Sequence, residues 1–101
     1  MRDLVSIVME MWPFKRFRIV GESMSPAYKD GDIVLIYRWG KIRAGDVVVF
    51  RKEGMTMIKR AISKTNDGWN VRGDNISNST DSLEFGTVPF GRIEGSVIAR
   101  Y

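Results

Sequence analysis

The chain has 101 residues, 44% of them hydrophobic and 28% charged, with a net charge of +4 at neutral pH, which is typical of one globular domain with a single core. It contains no cysteine and no histidine, which excludes disulfides, thiol catalysis and serine–histidine–aspartate triads and removes the common ligands of zinc and iron sites. Acid–base chemistry therefore has to come from carboxylates, lysines or tyrosines, and we expect no metal and no cofactor.

The first segment predicts a short amphipathic helix over residues 1–14. Its polar and apolar residues recur at helical spacing, and Pro13 ends the pattern. We expect this helix either to dock on the core of the domain or to contact a membrane surface through residues 4–14, with Trp12 and Phe14 as anchors. The apolar run is about half of the ~20 residues that a membrane-spanning helix needs. The expected location is therefore the cytoplasm or the periphery of a membrane, with no transmembrane segment in this chain.

The remaining residues predict a mainly β domain. Segments rich in β-branched residues are separated by turn signals at Asp30-Gly31, Ala44-Gly45, Asn66-Asp67-Gly68 and Phe85-Gly86. The predicted strands are residues 17–20, 32–37, 46–51, 55–63, 69–72 and 96–100. Short strands with glycine-marked turns indicate a single compact antiparallel β domain.

One lysine in the fourth predicted strand is a candidate general base. Period-2 alternation places Met55, Met57 and Lys59 on the same face of this strand. If that face is buried, the pKa of the lysine falls below its usual value of about 10.4, because burial penalises the charged form. A neutral amine beside a serine hydroxyl could then take its proton. Alternation alone leaves open a lysine that reaches solvent from an edge strand.

Several segments, in the same order along the chain, resemble motifs of bacterial signal peptidase I. They are GESMSPAYKDGDIVLI (21–36) for the nucleophile box, AGDVVVF (44–50) for the next strand, MIKRAIS (57–63) for the lysine box, VRGDNISNSTDSLEFGTVP (71–89) for the Gly-Asp-Asn box and GRIEGSVIARY (91–101) for the last strand. The resemblance runs from about Phe17 to Tyr101. It implies the β fold of the signal peptidase catalytic domain, which is similar to that of LexA, over residues 15–101.

The resemblance also implies catalytic roles. Ser23 would be the nucleophile, Lys59 its general base, and the backbone N–H of Ser23 an oxyanion donor. Ser79 would hold the lysine amine in place. Some members of the family carry a second hydroxyl donor at the position of Gly21, so that donor is missing here or comes from elsewhere.

Further residues take supporting roles by the same resemblance. Asp81 and Arg60 would form an ion pair beside the site, and Gly73, Asp74 and Asn75 would shape the loop. The substrate would be contacted by Met24, Met57 and Ile58. Ile76 and Leu83 replace arginines that are often present in the last box, which weakens the expected salt-bridge network.

The resemblance implies a serine endopeptidase that removes N-terminal signal or propeptide segments from protein precursors. The chain is most similar to minimal soluble members such as the maturation peptidases of nickel superoxide dismutase. Two alternatives remain: a self-cleaving domain of the LexA type, and a non-catalytic β module that binds peptide or nucleic acid. The basic clusters are short and interleaved with apolar residues, so nucleic acid is not the expected partner.

Overall fold

The fold was obtained as a computed structural model, and the structure describes residues 13–75 and 87–100. Seven strands and one short 3-10 helix follow each other along this part of the chain. They are β1 (Phe14–Arg18), β2 (Ile33–Tyr37), β3 (Val47–Lys52), β4 (Met55–Lys64), β5 (Gly68–Arg72), β6 (Val88–Pro89), the 3-10 helix (Phe90–Arg92) and β7 (Ile93–Arg100).

The seven strands form one antiparallel sheet in the order β1-β2-β7-β3-β4-β5-β6. The last strand of the chain, β7, lies between β2 and β3. Its pairing shifts register between Leu35 and Ile36 of β2 and between Val49 and Phe50 of β3. Such irregularities bend strands and increase their twist, so the sheet curves most where β7 enters it.

The core is built on β3, β4 and β5. Its main cluster consists of Val48, Phe50, Ala61, Trp69, Val71 and Val88. In β3 all of the residues Val47 to Phe50 are buried. Because successive side chains of a strand point to opposite faces of the sheet, both faces of β3 are covered. The centre of the sheet is therefore buried on both sides.

The predicted mainly β, antiparallel fold is confirmed. Strands predicted at 32–37, 46–51, 55–63 and 69–72 are present with ends that differ by one residue. The predicted strand at 17–20 is displaced, because β1 starts at Phe14 and ends at Arg18. The two-residue strand β6 was not predicted; it has no pattern of its own and exists through its pairing with β5.

The short N-terminal helix finds no support in the structure. Phe14, which we assigned to it, is instead the first residue of β1, where it pairs with Tyr37. Residues 1–12 lie outside the described residues. The proposed boundary between residues 14 and 15 falls inside β1, and the strand pairing of Phe14 could not be read from the helical pattern of residues 1–14.

Candidate active site

Ser23 lies in the turn that connects β1 to β2. Ile19 continues the pairing of β1 beyond its last residue, and its carbonyl accepts a hydrogen bond from Gly31 N–H at 2.8 Å. Gly21 then has φ of +96°, a conformation that residues with a side chain rarely adopt. Its N–H donates to Asp30 Oδ1 at 2.8 Å. The glycine thus turns the chain away from the sheet just before Ser23, and the carboxylate of Asp30 fixes the turn.

Lys59 is buried in the middle of β4, with 3% of its surface exposed. Its neighbours on the same face are Met57, which packs against the core cluster, and Ala61, which belongs to it. Burial lowers the pKa of Lys59 from 10.5, because desolvation penalises the ammonium form. Within the described residues no side chain forms a salt bridge or hydrogen bond with the Lys59 amine. Burial therefore shifts the proton equilibrium of Lys59 toward the neutral amine.

Ser23 and Lys59 line the same cavity, which has a volume of about 270 Å³. The rest of its described lining is mostly apolar and comes from residues 17–20, residues 55–59, Val34 and Val49. Val34 and Val49 are buried, whereas Val20 and Met55 are exposed at 85% and 64%. We call this cavity the cleft. No hydrogen bond joins Ser23 Oγ to the Lys59 amine, so the structure brings the two side chains to one cleft without direct contact.

Two strand edges border the cleft. β1 is the first strand of the sheet and pairs with β2 alone. Residues 55–59 of β4 pair with β3, whereas the pairing of β4 with β5 begins at Arg60. In the part of the chain that the structure describes, the other edge of each segment has no strand partner. Backbone N–H and C=O groups on such an edge are available to an added extended chain.

A hydrogen-bonded bridge connects β4 to the Ser23 turn. Arg60, next to Lys59, donates to Asp74 Oδ1 at 2.9 Å and Oδ2 at 2.7 Å. The N–H of Asp74 donates to the sulfur of Met24 at 3.4 Å. Asn75 donates from its backbone to Ser23 O at 2.8 Å and from its side chain to Glu22 O at 3.0 Å. The loop after β5 therefore holds the turn that carries Ser23.

Most of the other predicted site residues lie close to this arrangement. Met57 and Ile58 line the cleft, and Gly73 is a buried residue at the start of the bridging loop. Met24 is fully buried and is absent from the described cleft lining, and its expected contact with substrate stays a prediction.

The predicted roles of Ser79, Asp81, Ile76 and Leu83 lie outside the described residues. The ion pair expected between Arg60 and Asp81 stays a prediction, and the partner of Arg60 that the structure shows is Asp74. The sequence analysis assigned Asp74 only a role in shaping the loop. The glycine before Asp74 indicated that Asp74 lies in a loop, but nothing in the sequence indicated its ion pair with Arg60.

No helix within the described ranges is long and apolar enough to cross a membrane. In the same ranges no group of three or more acidic side chains is placed to hold a metal ion. The polar residues of the described cleft lining are thus Arg18, Ser23, Thr56 and Lys59, and open backbone edges border the cleft.

Comparisons with known proteins identify the family of this chain. A family model described as Peptidase S24-like matches residues 14–97. Similar curated proteins include the mitochondrial ATP-independent inner membrane protease subunit 1a of Arabidopsis thaliana, which is 32% identical over 79% of this chain and 66% of its own length. The mitochondrial inner membrane protease subunit 1 of Xenopus tropicalis is 28% identical over 79% of this chain and 64% of its own length.

A bacterial relative is similar over a shorter range. Signal peptidase I U of Bacillus subtilis is 32% identical over 62% of this chain and 37% of its own length. The chain thus spans less than two thirds of each of these relatives. The family match and the names of the relatives confirm the resemblance to signal peptidase I that the motifs indicate: the chain belongs to the Peptidase S24-like family.

Proposed function

We propose that the protein is a serine endopeptidase that uses Ser23 as nucleophile and Lys59 as general base. The observation that carries this proposal is the placement of Ser23 and a buried lysine of lowered pKa in the lining of one apolar cleft. Membership of a peptidase family and the protease names of the relatives support hydrolysis of a peptide bond. By analogy with signal peptidase I, the substrates are protein precursors that lose an N-terminal segment.

The chemistry follows from the two side chains. The neutral Lys59 amine takes the proton of Ser23 as Oγ attacks the peptide carbonyl, and the lysine ammonium then protonates the leaving amine as the C–N bond breaks. Lys59 next takes a proton from a water molecule that attacks the ester. Cleavage of the ester restores the Ser23 hydroxyl and releases the new carboxyl group. The absence of a direct hydrogen bond between the two groups in the free site is compatible with this role, because catalytic hydrogen bonds often tighten only with substrate bound.

The oxyanion would be stabilised by the backbone N–H of Ser23. No acceptor among the described residues takes this N–H, which supports its availability to substrate. A second donor from position 21 is not available, since Gly21 has no side chain and its N–H is bound to Asp30. Loss of one oxyanion donor can lower the rate about 10²-fold or more, so we expect a slow enzyme unless substrate binding supplies another donor.

The substrate would bind as an extended chain against the open edges of β1 and residues 55–59. Both edges border the cleft that contains Ser23 and Lys59. Backbone hydrogen bonds would provide affinity, while the apolar lining would accept small or apolar side chains next to the cut. The same edges suit the competing function of a non-catalytic peptide-binding module, which the absence of a direct Ser23–Lys59 hydrogen bond favours.

Cleavage of a fluorogenic peptide with Ala-x-Ala before the cut separates these two functions. We expect hydrolysis by the wild-type protein at pH 8 to 10 and none by Ser23→Ala or Lys59→Ala. The matched controls are Ser63→Ala and Lys64→Ala, which alter exposed residues of β4 outside the cleft. Peptide binding without hydrolysis by the wild-type protein would contradict the enzyme and leave the binding module.

Identification of the physiological substrate needs a second experiment. Mass spectrometry of cellular protein N-termini, with and without the protein, reports both the precursor and its cleavage site. We expect shortened N-termini that depend on Ser23. A self-cleaving domain would instead show a new N-terminus only in its own chain.

A further inference from the structure

We propose that Arg18 is a specificity-determining residue that selects substrates with a carboxylate side chain close to the cleavage site. This inference rests on the proposed peptidase function and adds a substrate preference to it. The motif resemblance assigns no role to Arg18.

The charges around the cleft single out Arg18. Among its described lining residues, Arg18 and Lys59 are the two that carry basic side chains, and none carries a carboxylate. Lys59 is buried, with 3% of its surface exposed, whereas Arg18 is exposed, so Arg18 is the lining cation that a substrate side chain can reach from solvent. A substrate that runs along β1 therefore passes a mostly apolar cleft with one exposed cation at its rim.

The guanidinium of Arg18 has no acidic partner within the ranges that the structure describes. The contrast lies on the same strand, where Lys15 is 3.5 Å from Glu94 Oε1. Arg18 is exposed and lies next to Ile19, which is buried. An incoming carboxylate could thus pair with it without displacing an existing ion pair.

The geometry of an edge strand determines which substrate side chains meet Arg18. Alternation along β1 places Phe17 and Ile19 on the more buried side and Arg18 on the exposed side, so Arg18 contributes to the cleft lining from its outer rim. A peptide added to the free edge of β1 would likewise send alternate side chains to each side of the sheet. Those on the outer side would lie about 5 Å from the side chains of β1, within reach of a guanidinium.

The position of the preferred acid is limited by the length of the chain between Arg18 and Ser23. These residues are five positions apart, and an extended chain advances about 3.3 Å per residue, so the separation is at most about 17 Å. The selected Asp or Glu should therefore lie within about five residues of the scissile bond. Since Arg18 is exposed, the preference should be modest, about two- to fivefold, and should weaken in salt.

The test uses quenched-fluorescence peptides of one apolar sequence that carry a single Glu, or Gln as its neutral match, at each of the five positions on either side of the cut. At low ionic strength we expect the wild-type protein to cleave the peptide with Glu at one of these positions about two- to fivefold faster, in kcat/KM, than its Gln match. The ratio should approach one at about 1 M salt, where the Debye length is about 3 Å.

Variants assign the preference to Arg18. Arg18→Gln should abolish the Glu-to-Gln ratio, Arg18→Lys should retain most of it, and Arg18→Glu should reverse it in favour of a Lys peptide. Arg16→Gln is the matched control, because Arg16 is exposed on the same strand but does not line the cleft. Equal cleavage of all Glu and Gln pairs by the wild-type protein, or an unchanged ratio in Arg18→Gln, would overturn the inference while leaving the peptidase intact.

If the wild-type protein cleaves none of the peptides, the proposed enzyme fails and the role of Arg18 is measured by binding. Fluorescence anisotropy of labelled Glu and Gln peptides should then show tighter binding of the Glu peptide that depends on Arg18. Equal Kd values for the two peptides would overturn the role of Arg18.

Discussion

Arg60 and Asp74 are joined by a two-pronged ion pair that connects the strand of Lys59 to the loop holding the Ser23 turn. The hydrogen bond to the Asp74 carboxylate is the largest cause of the raised pKa of Arg60. Arg60 also donates to Gly45 O at 2.7 Å, in the turn before β3. The relative position of the nucleophile turn and the base strand therefore depends on one guanidinium.

We expect Arg60→Lys to impair catalysis more than folding. A lysine keeps the charge but cannot reproduce the planar, two-pronged contact. The two side chains are 34% and 23% exposed, so the loss of unfolding free energy should stay near 1–2 kcal/mol. A displaced turn should lower kcat about 10-fold or more. Urea unfolding measures the change in unfolding free energy, and peptide kinetics measure the change in kcat. Arg72→Lys is the control on the neighbouring strand. An unchanged kcat in Arg60→Lys would show that the ion pair does not position Ser23.

The activity should rise with pH, because the neutral form of Lys59 is the working base. Burial lowers the pKa of Lys59, so the midpoint of the rise in kcat/KM should lie below 10.5. Lys59→Arg should be inactive at every pH, since a guanidinium stays protonated. A pH–rate profile of both proteins tests this, and activity in Lys59→Arg would refute the proposed base.

Replacement of Lys59 by methionine should stabilise the folded protein while abolishing cleavage. The pKa of Lys59 is lower in the folded protein than the unfolded value near 10.5. Between these two pKa values the unfolded chain binds more protons than the folded protein. The stability of the wild type therefore rises with pH in this range. The gain from Lys59→Met should therefore be largest below this window, at roughly 0.5–2 kcal/mol, and shrink as the pH approaches 10.5. Urea unfolding at pH 7 and pH 10 measures the gain. A gain in unfolding free energy that grows with pH would contradict the lowered pKa of Lys59.

A serine at position 21 should not supply the second oxyanion donor that some relatives have. Gly21 has φ of +96°, and although no atom lies within 4 Å of an added Cβ, the backbone would be strained. We expect Gly21→Ser to lose about 1–3 kcal/mol of unfolding free energy without a gain in kcat. Gly91→Ser is the control, since Gly91 also has open space around it and no positive φ. Faster cleavage by Gly21→Ser would show that the turn can rearrange to accept the hydroxyl.

The sequence predicted the parts of this molecule that depend on local patterns. Alternation in β4 predicted that Lys59 shares one face with Met57, leaving open whether that face is buried, and the turn motif predicted that Ser23 lies in a turn after the first strand. Met55 was expected on the same face but is 64% exposed, because it lies at the end of the strand where the core no longer covers it. A period-2 pattern gives the face of a residue, not how far the core extends along it.

Other features depend on contacts between distant segments and had no local signal. The ion pair of Arg60 with Asp74 spans 14 positions and forms because β4 and β5 are neighbours in the sheet. The insertion of β7 between β2 and β3 likewise follows from the packing of the whole sheet. For the same reason, the sequence pattern could not distinguish a buried Met24 from one that lines the cleft.

Among the described residues, one side of β1 has no strand partner, and such an edge can favour aggregation in solution. A strand with free N–H and C=O groups can pair with the same strand of another molecule, and this pairing can start aggregation. Here the sequence FKRFR places three cations on five residues of that strand, so two copies approaching in this way repel each other. Neutralising these charges would therefore be expected to trade colloidal solubility for self-association, even where the fold itself is unchanged.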